Sequence, residues 1–329
     1  MGSVMSIAVP YELLDFIKDH KKFIIAGHKE PDGDCVGSQL ALASVLKRLG
    51  KESIVCSDGP FRRTEISMYK KRFINAVGEK ELQGAAAIVV DCSVVSRIGD
   101  LKESLKRLPT AIIDHHEGWD RCAGTYENPL FIEPSSPSTT FLILALIEAL
   151  GLTPTEEEAK FLFFGLCTDT GFFRHVDSTG DETFAYASRL IKRGANPKEA
   201  FRLINGGKTL ASRQLLGILL FRSQAYFDGK LILTTEEYHE TQYFGLESRD
   251  SDTLYQLLQT IHGVEAIVAI RQEAPARCSV GLRSQDRIDV SKIAADFGGG
   301  GHKNAAGLSI EGTVETIRPK LLAAFEKFF

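Results

Sequence analysis

Short apolar runs alternate with helix-like patterns along the first half of the chain. The runs predict buried strands at residues 22–27, 53–56, 86–90 and 111–113. Between the first two runs, apolar residues share one face of a helix that Gly50 is placed to end; they are Val36, Leu40, Ala43, Leu46 and Leu49. Strands separated by helices predict an α/β fold with a parallel sheet that has helices on both faces.

The second half begins with a helical pattern and then returns to strands. Apolar periodicity predicts three helices and a helical connector, at residues 139–150, 155–166, 181–193 and 196–220. Three further strands follow, at residues 231–235, 266–271 and 278–283. With helices between and after them, these strands predict a second, smaller α/β unit. A length of 329 residues fits two domains, and we expect them at 1–195 and 221–329, joined by the connector.

The charge balance limits the kinds of partner that the chain can have. It carries 39 basic and 43 acidic side chains, a formal net charge of −4, which argues against binding long nucleic acid through a general basic surface. Hydrophobic and charged fractions of 43% and 25% are ordinary for a globular chain. A short anionic substrate held at one local site is still compatible with these figures.

Cysteine use and the N-terminal sequence indicate a cytoplasmic protein. Six scattered cysteines form no CxxC pair, so we expect free thiols rather than a zinc ribbon or a disulfide framework. The N-terminus lacks the features of a secretory signal, and no segment approaches the roughly 20 apolar residues that span a bilayer. Gly2 and Ser6 fit the loose myristoylation pattern, which arises often by chance, so we expect no membrane partner.

Polar clusters follow three of the predicted strands, and a fourth ends a predicted helix. Their members are His28, Asp32 and Asp34; Asp91; the run Asp114-His115-His116; and Asp169 in a T-D-T-G stretch. Because ligands bind at the carboxyl ends of the strands in an open α/β sheet, we expect these side chains to converge.

The residue types in these clusters suit metal-assisted chemistry. Imidazole with carboxylate favours Mn²⁺, Fe²⁺ or Zn²⁺, and the absence of cysteine from the clusters argues against a structural zinc site. Asp32 and Asp34 can direct carboxylates at two neighbouring ions, an arrangement that clamps phosphorus for in-line attack. A single aspartate more often caps a helix, so the joint pattern carries the prediction. The histidines outside it, which we expect to be structural or on the surface, are His20, His239 and His262.

In their order, the motifs H-x-x-P-D-x-D, D-x-S, D-H-H and T-D-T-G resemble those of the DHH phosphoesterase superfamily. The run GGGGHKNAAG, which starts at Gly298, resembles the signature of the associated C-terminal DHHA1 domain. The two resemblances cover nearly the whole chain, whose size is similar to that of the bacterial nano-RNase and pAp phosphatase group. RecJ exonucleases carry extra domains, and the pyrophosphatases of the superfamily lack this glycine-rich loop.

The resemblance implies a catalytic DHH domain, a substrate-binding DHHA1 domain and an active site in the cleft between them. It implies two metal ions, most simply Mn²⁺, although Co²⁺ and Mg²⁺ can share such ligands. One ion would be held by His28, Asp32 and Asp91. The other would be held by Asp34, Asp91, His115 and Asp169, so that Asp91 bridges the pair.

The resemblance also implies roles for residues that do not bind metal. Asp114 would orient a histidine ligand through a hydrogen bond, and His116 would contact the scissile phosphate as general acid. Arg97 is a weaker candidate for supporting the site, and an ordinary surface arginine is an equal interpretation. Cys35 and Cys92, each next to a proposed ligand, either line the site or pack beneath it.

In the DHHA1 domain, the resemblance implies that glycine backbone amides approach an anionic substrate closely. The implied substrate-binding residues are Gly299, Gly300, Gly301, His302 and Arg283. A flexible turn is the competing interpretation of the glycine run. Other basic residues nearby are expected to be ordinary solvated ones, namely Arg271, Arg287 and Lys303.

The predicted function is therefore an Mn²⁺-dependent phosphohydrolase that uses water activated by two metals. Its substrates would be RNA of two to five nucleotides, cleaved to nucleoside monophosphates as by 3′–5′ oligoribonucleases, and 3′-phosphoadenosine 5′-phosphate (pAp), cleaved to AMP. A homodimer is a family-level expectation. One alternative is a phosphodiesterase for cyclic di-AMP or linear dinucleotides such as pApA and pGpG. Two others are a non-catalytic nucleotide sensor, which the complete ligand set disfavours, and a pyrophosphatase, which the second domain disfavours.

Overall fold

The computed structural model describes residues 7–116, 129–176, 180–285 and 287–329. The Gly2–Ser6 pattern and Cys122 lie outside these ranges. The chain forms two compact units, Met1–Gly207 and Lys208–Phe329. The boundary divides the predicted connector, which contains one helix on each side of the break at residues 205–207. Among the described residues, no helix has the length and apolar character needed to cross a membrane.

The described part of the first unit is built on a parallel sheet of five strands. They are β1 (Lys22–Ala26), β2 (Glu52–Cys56), β3 (Ala85–Val90), β4 (Thr110–Asp114) and β5 (Leu130–Ile132). Their order across the sheet is β2-β1-β3-β4-β5, with every pair parallel. The four predicted strands are confirmed, each to within one residue at either end. The three-residue β5 was not predicted, because it is too short to show a pattern.

Helices cover both faces of this sheet, as predicted. Those of the first unit are α1 (Tyr11–Asp19), α2 (Gly33–Arg48), α3 (Glu79–Leu82), α4 (Leu101–Leu105), α5 (Thr139–Ala149), α6 (Glu156–Asp169), α7 (Asp181–Lys192) and α8 (Pro197–Asn205). Alternate residues of each strand face opposite sides. Phe23 and Ile25 of β1 pack in the core formed with α2, α5 and α6. Ile24 packs on the other side, with the buried leucines of α3 and α4.

The second unit is a smaller α/β unit, as predicted, and its described strands form a mostly antiparallel sheet. They are β6 (Gln224–Tyr226), β7 (Leu231–Glu236), β8 (Ala266–Ala274), β9 (Arg277–Ser284), β10 (Gly300–His302) and β11 (Ala305–Glu311), in the order β10-β11-β9-β8-β7-β6. The helices are α9 (Leu210–Arg222), α10 (Tyr238–Phe244), α11 (Ser251–Gln259), α12 (Val290–Asp296) and α13 (Val314–Glu326). One face of the sheet packs on α12 and α13, and the other on α9 and α11.

The last two glycines of the run, Gly300 and Gly301, form part of this sheet. β10 is an edge strand that pairs with β11 in an antiparallel hairpin. Gly301, with a φ of 149°, lies so close to the partner strand that an added Cβ would stand 2.5 Å from the carbonyl oxygen of Ala305. Only glycine fits there, so the backbone of this loop is fixed by the sheet.

One buried carboxylate connects α2 to the start of α6. Glu158 is fully buried, and its Oε1 accepts a hydrogen bond from Ser44 at 2.8 Å. Its Oε2 accepts from Nη1 of Arg48 at 2.7 Å and from the backbone N–H of Thr155 at 2.8 Å. The hydroxyl oxygen of Thr155 in turn accepts a hydrogen bond from the backbone N–H of Glu158, which completes a capping box. The contact therefore holds two helices together and caps one of them.

Replacing Glu158 by glutamine should lower the free energy of unfolding by about 2–3 kcal/mol, because it leaves Arg48 and Ser44 without their charged acceptor. Urea denaturation followed by circular dichroism measures this loss. The matched control is Glu157→Gln, since that exposed side chain pairs with Arg72 at 3.4 Å and should matter by less than about 1 kcal/mol. Equal losses in the two variants would contradict the proposed connection.

Candidate metal centre

The carboxyl ends of three parallel strands bring the predicted ligands to one place. His28 follows β1, Asp91 follows β3, and the Asp114-His115-His116 run ends β4. The start of α2 and the end of α6 supply the other members, which are Asp32, Asp34 and Asp169. Three groups of residues each bring their ligand atoms within 4.8 Å of one another. They are His28, Cys35 and Asp91; Asp91, His115 and His116; and Asp34, His115 and Asp169.

Asp91 and His115 each belong to two of these groups, and Asp91 lies near both fixed histidines. Its Oδ2 lies 3.5 Å from Nε2 of His28, and its Oδ1 lies 3.7 Å from Nε2 of His115. The side chain is buried, and Oδ1 accepts a hydrogen bond from the hydroxyl of Thr139 at 3.0 Å. Asp91 has a left-handed φ of 56°, a conformation that turns the chain sharply out of β3. Such backbone strain is typical of functional positions.

Two histidine rings are fixed so that Nε2 faces the carboxylates. Nδ1 of His28 donates to the carbonyl of Lys29 at 2.8 Å, and Nδ1 of His115 donates to the carbonyl of Ser136 at 3.1 Å. Within the described part of the chain, the buried Nε2 of His115 has no hydrogen-bond partner, although Asp169 lies 3.3 Å away. An imidazole nitrogen that faces carboxylates at this distance is stabilised by a positive charge, which either a proton or a bound cation can supply. The donor set therefore fits a divalent cation.

Asp32 and Asp34 have structural roles as well as places in the cluster. Asp32 is the N-cap of α2, where its Oδ1 accepts from the amides of Asp34 and Cys35 at 3.1 Å. The interpretation of Asp32 as a helix cap is therefore correct, but it does not exclude the residue from the cluster. Asp34 accepts backbone hydrogen bonds from the first residues of α5, Thr139 at 2.6 Å and Thr140 at 3.0 Å.

The predicted partner of Asp114 needs a correction. Its Oδ1 accepts from Nδ1 of His116 at 2.8 Å and from the backbone amide of His115, but among the described residues no hydrogen bond joins it to the ring of His115. The carbonyl of Ser136 orients that ring instead. The two adjacent rings have different hydrogen-bond acceptors, the carbonyl of Ser136 for His115 and Oδ1 of Asp114 for His116. Asp114 thus orients the residue predicted as general acid, not a predicted ligand.

The electrostatics of the cluster follow from burial and crowding. Burial and the neighbouring carboxylate of Asp34 raise the pKa of Asp91, and the same two causes raise that of Asp169 to about 7. Burial alone would lower the pKa of His28, but Asp32 and Asp91 outweigh it and raise the value to about 10. The hydrogen bond from His116 to Asp114 raises the pKa of that histidine. Without a cation, the cluster therefore retains protons at neutral pH.

Several contributors to the site were not predicted. Three of them act partly through backbone atoms, namely Thr139, Thr140 and Ser136. In the sequence, serines and threonines at the start of a helix indicate only an N-cap, so these contacts could not be predicted. Cys35 is buried against the site, with its thiol donating to Gln39 at 3.6 Å. Cys92 instead donates to the carbonyl of Val94 at 3.2 Å.

Arg97 contributes to the loop that follows β1 through its backbone. Its carbonyl accepts from the amide of Lys29 at 2.6 Å, while the residue itself is exposed. The charge of its guanidinium opposes protonation of His116. Arg97 therefore supports the loop through its backbone, while its side chain is that of an ordinary surface arginine.

The predicted substrate-binding residues of the second unit lie in neighbouring rows of its sheet. His302 is opposite Ala305, and Ala305 is opposite Arg283 on its other side. Gly299 and Gly301 have no room for a Cβ, whereas Gly300 has nothing within 4 Å of that position. Gly300 and His302 are exposed on the edge strand.

Of the nearby basic residues, Arg287 is exposed and pairs with Glu265, but Arg271 is largely buried, which corrects its expected solvated position.

Two family models match this chain. Residues 22–166 match the DHH family, N-terminal domain, and residues 235–329 match the DHHA1 domain. These two matches contain every predicted site residue except Asp169.

Curated relatives and solved structures give similar results. The chain is 32% identical to a bifunctional oligoribonuclease and PAP phosphatase NrnA of Thermus thermophilus, covering 91% of this chain and 90% of the relative. It is 27% identical to a cyclic-di-AMP phosphodiesterase GdpP of Geobacillus thermodenitrificans, of which it covers 50%. The crystal structure of an exopolyphosphatase-related protein from Bacteroides fragilis has the same fold, with a TM-score of 0.83, 23% identity and coverage of 97% and 95% of the two chains.

The contribution of Asp169 to the stability of the metal-free protein should fall as the pH rises from about 4 to 7. The native pKa of Asp169 is about 7, above its ordinary value of 3.8, so folding holds a proton that the unfolded chain has lost in this range. Asp169→Asn should therefore gain about 1–2 kcal/mol relative to the wild type between pH 5 and pH 8. Urea denaturation in EDTA measures it, with the exposed Asp15→Asn as control. If the free energy of unfolding changed with pH in the same way for the wild type and Asp169→Asn, the raised pKa of Asp169 would be contradicted.

Divalent metal should stabilise the folded protein through this cluster. Saturating Mn²⁺ should raise the melting temperature of the wild type by about 5 °C or more, since it binds the native state alone. Asp91→Asn should lose most of this rise, because Asp91 contacts both fixed histidines. Asp15→Asn should keep it. Differential scanning fluorimetry with and without Mn²⁺ measures the melting temperatures. If Mn²⁺ raised the melting temperature of Asp91→Asn as much as that of the wild type, Asp91 would not be a metal ligand.

Proposed function

This chain belongs to the DHH phosphoesterase family and carries a DHHA1 domain, and on that premise we propose that it hydrolyses short oligoribonucleotides and pAp in a divalent-metal-dependent reaction. The observation that carries the proposal is the convergence of carboxylates and two fixed imidazoles on Asp91. Relatives named as oligoribonuclease and PAP phosphatase support the choice of substrates.

We assign two sets of residues to two Mn²⁺ ions. The first set is His28, Asp32 and Asp91, and the second is Asp34, Asp91, His115 and Asp169. When bound, divalent ions supply Lewis-acid polarisation of the phosphoryl group and activate the attacking water. The protein holds the ligands in place, with Nε2 of both histidines presented by backbone carbonyls. Co²⁺ or Mg²⁺ can take the same oxygen and nitrogen donors.

His116 is the proposed general acid. Asp114 holds its Nδ1–H at 2.8 Å, so Nε2 is directed away from this carboxylate. The same contact raises the pKa of His116 above its ordinary value, which makes the protonated ring more accessible. The side chain is 40% exposed, against 13% for His115 and 9% for His28, so a substrate can reach it. It can thus donate a proton to the leaving oxygen.

The second unit supplies the proposed contacts to the rest of the substrate. Arg283 adds positive charge and His302 an imidazole in one row of the sheet, and the edge-strand glycines lie beside them. These contacts suit a distal phosphate, which a short nucleotide carries a fixed distance from the scissile bond. The proposal therefore includes Gly299, Gly300 and Gly301 as substrate-binding residues.

A side-by-side assay tests the proposed function. With Mn²⁺, we expect the protein to release nucleoside monophosphates from pApA and a five-nucleotide RNA, and AMP from pAp, with cyclic di-AMP as the slowest substrate. Asp91→Ala should lose about a thousandfold or more in kcat, because both ligand sets include this residue. Asp15→Ala is the matched control.

Each other outcome points to a different conclusion. Fastest turnover of cyclic di-AMP would favour the function named for the longer relatives. Tight binding without hydrolysis would favour a sensor. Full turnover by Asp91→Ala would show that the assigned site is wrong.

A further inference from the structure

Tyr255 of α11 lies between two arginines on one face of the second sheet. Its ring is buried in the core beside Leu254 and Leu258. The guanidinium carbon of Arg283 lies 4.4 Å from the ring centroid, and that of Arg271 lies 5.8 Å away. Both distances fall within the range in which a cation is attracted to an aromatic face.

The two arginines differ in how their charge is compensated. Arg271 lies 3.8 Å from the buried Glu236 and donates to Ser251 at 3.1 Å. Glu236 also pairs with Arg249, which in turn pairs with Glu273 at 2.6 Å, so this side of the ring holds two acids and two bases. Arg283 makes no ion pair with any described carboxylate, and its Nη1 donates only to the neighbouring carbonyl of Leu282, at 3.0 Å. Its charge is thus available to an anion.

The position of the Tyr255 ring is fixed by the sheet beneath it. Its hydroxyl occupies the space that a side chain at Gly281 would need, and it has no hydrogen-bond partner among the described residues. A buried hydroxyl without a partner is costly. The hydroxyl therefore does not explain the residue, whereas the stacking of the ring on Arg283 does.

Between the Tyr255 ring and the edge strand β10, this face of the sheet carries mostly glycine and alanine. Gly281, Gly307 and Gly300 are opposite one another in one row, and the adjacent row on the same face holds Arg283, Ala305 and His302. Between Tyr255 and the edge strand, these two rows place only glycines and an alanine beside the arginine and the histidine. A ligand can therefore approach the guanidinium over a surface with little side-chain cover.

We propose that Tyr255 is a positioning residue that holds the Arg283 guanidinium ready for the distal phosphate of a nucleotide substrate. The inference rests on the proposed function, in which Arg283 binds that phosphate. A long arginine side chain must give up rotamer freedom when it binds, and a ring that fixes it beforehand reduces this cost. The effect belongs to binding, because Tyr255 contacts Arg283 within the second unit, whereas the residues assigned to the metal ions belong to the first.

The test compares Tyr255→Leu, which removes the ring, with Tyr255→Phe, which keeps it. With pAp as substrate, Tyr255→Leu should raise KM about fivefold and change kcat by less than about twofold. Tyr255→Phe should restore KM to nearly the wild-type value. In an Arg283→Met background, Tyr255→Leu should have no further effect, since the group that it positions is gone. Leu258→Ala, in the same helix and core, controls for lost packing.

Four outcomes would overturn the inference. They are an unchanged KM in Tyr255→Leu, a defect in Tyr255→Phe as large as that in Tyr255→Leu, an equal rise in Leu258→Ala, and an additive effect with Arg283→Met. Equilibrium binding of pAp, measured by calorimetry, separates this inference from the proposed function. If the wild type binds pAp without cleaving it, and Tyr255→Leu weakens that binding, the proposed function fails and the role of Tyr255 stands. If the wild type does not bind pAp, both fail.

Discussion

The first unit depends on one electrostatic constraint, which is that the carboxylates of Asp34 and Asp91 are buried close together. Burying one unpaired charge is costly, and burying two of the same sign near each other is costlier still. The fold meets this cost with backbone dipoles. The first amides of α5 point at Asp34, and the first amides of α2 point at Asp32. Two backbone carbonyls then turn histidine rings so that their Nε2 atoms face the same space. Each of these contacts favours a cation there.

The parts of this arrangement that could be predicted from the sequence are those with a side-chain signature. Continuous apolar runs marked β1 to β4, and the rule that parallel strands end at one edge placed His28, Asp91 and His115 together across nearly 90 residues. Helical periodicity likewise located α5 and α6. The dual role of Asp32, as cap and cluster member, follows from its position at the start of α2.

The remaining parts are contacts whose chemistry the sequence does not reveal. The amides of Thr139 and Thr140 and the carbonyl of Ser136 belong to the backbone, so no residue type announces them. The choice of Asp114 between two adjacent histidines depends on the geometry of one turn. β10 is too short and too rich in glycine to show a strand pattern, and its pairing with β11 is set by the close approach of backbones. β11 does alternate the apolar residues Ala306, Leu308 and Ile310 with more polar ones, a pattern from which this strand could have been predicted.

The packing of α2 against α6 determines the spacing of the ligands that come from helices. The helices run in opposite directions, since Arg48 at the end of α2 meets Glu158 near the start of α6, while Asp34 and Asp169 lie near the other ends. Glycines allow the close approach: a Cβ at Gly37 would stand 2.6 Å from the carbonyl oxygen of Phe161, and one at Gly165 would stand 2.8 Å from Oδ1 of Asp34. A larger residue at either position would push the helices apart and separate the two carboxylates. The stabilising ion pair at one end of this helix pair and the destabilising carboxylates at the other are therefore parts of one rigid arrangement, which can hold its acids at ligand distance before any cation binds.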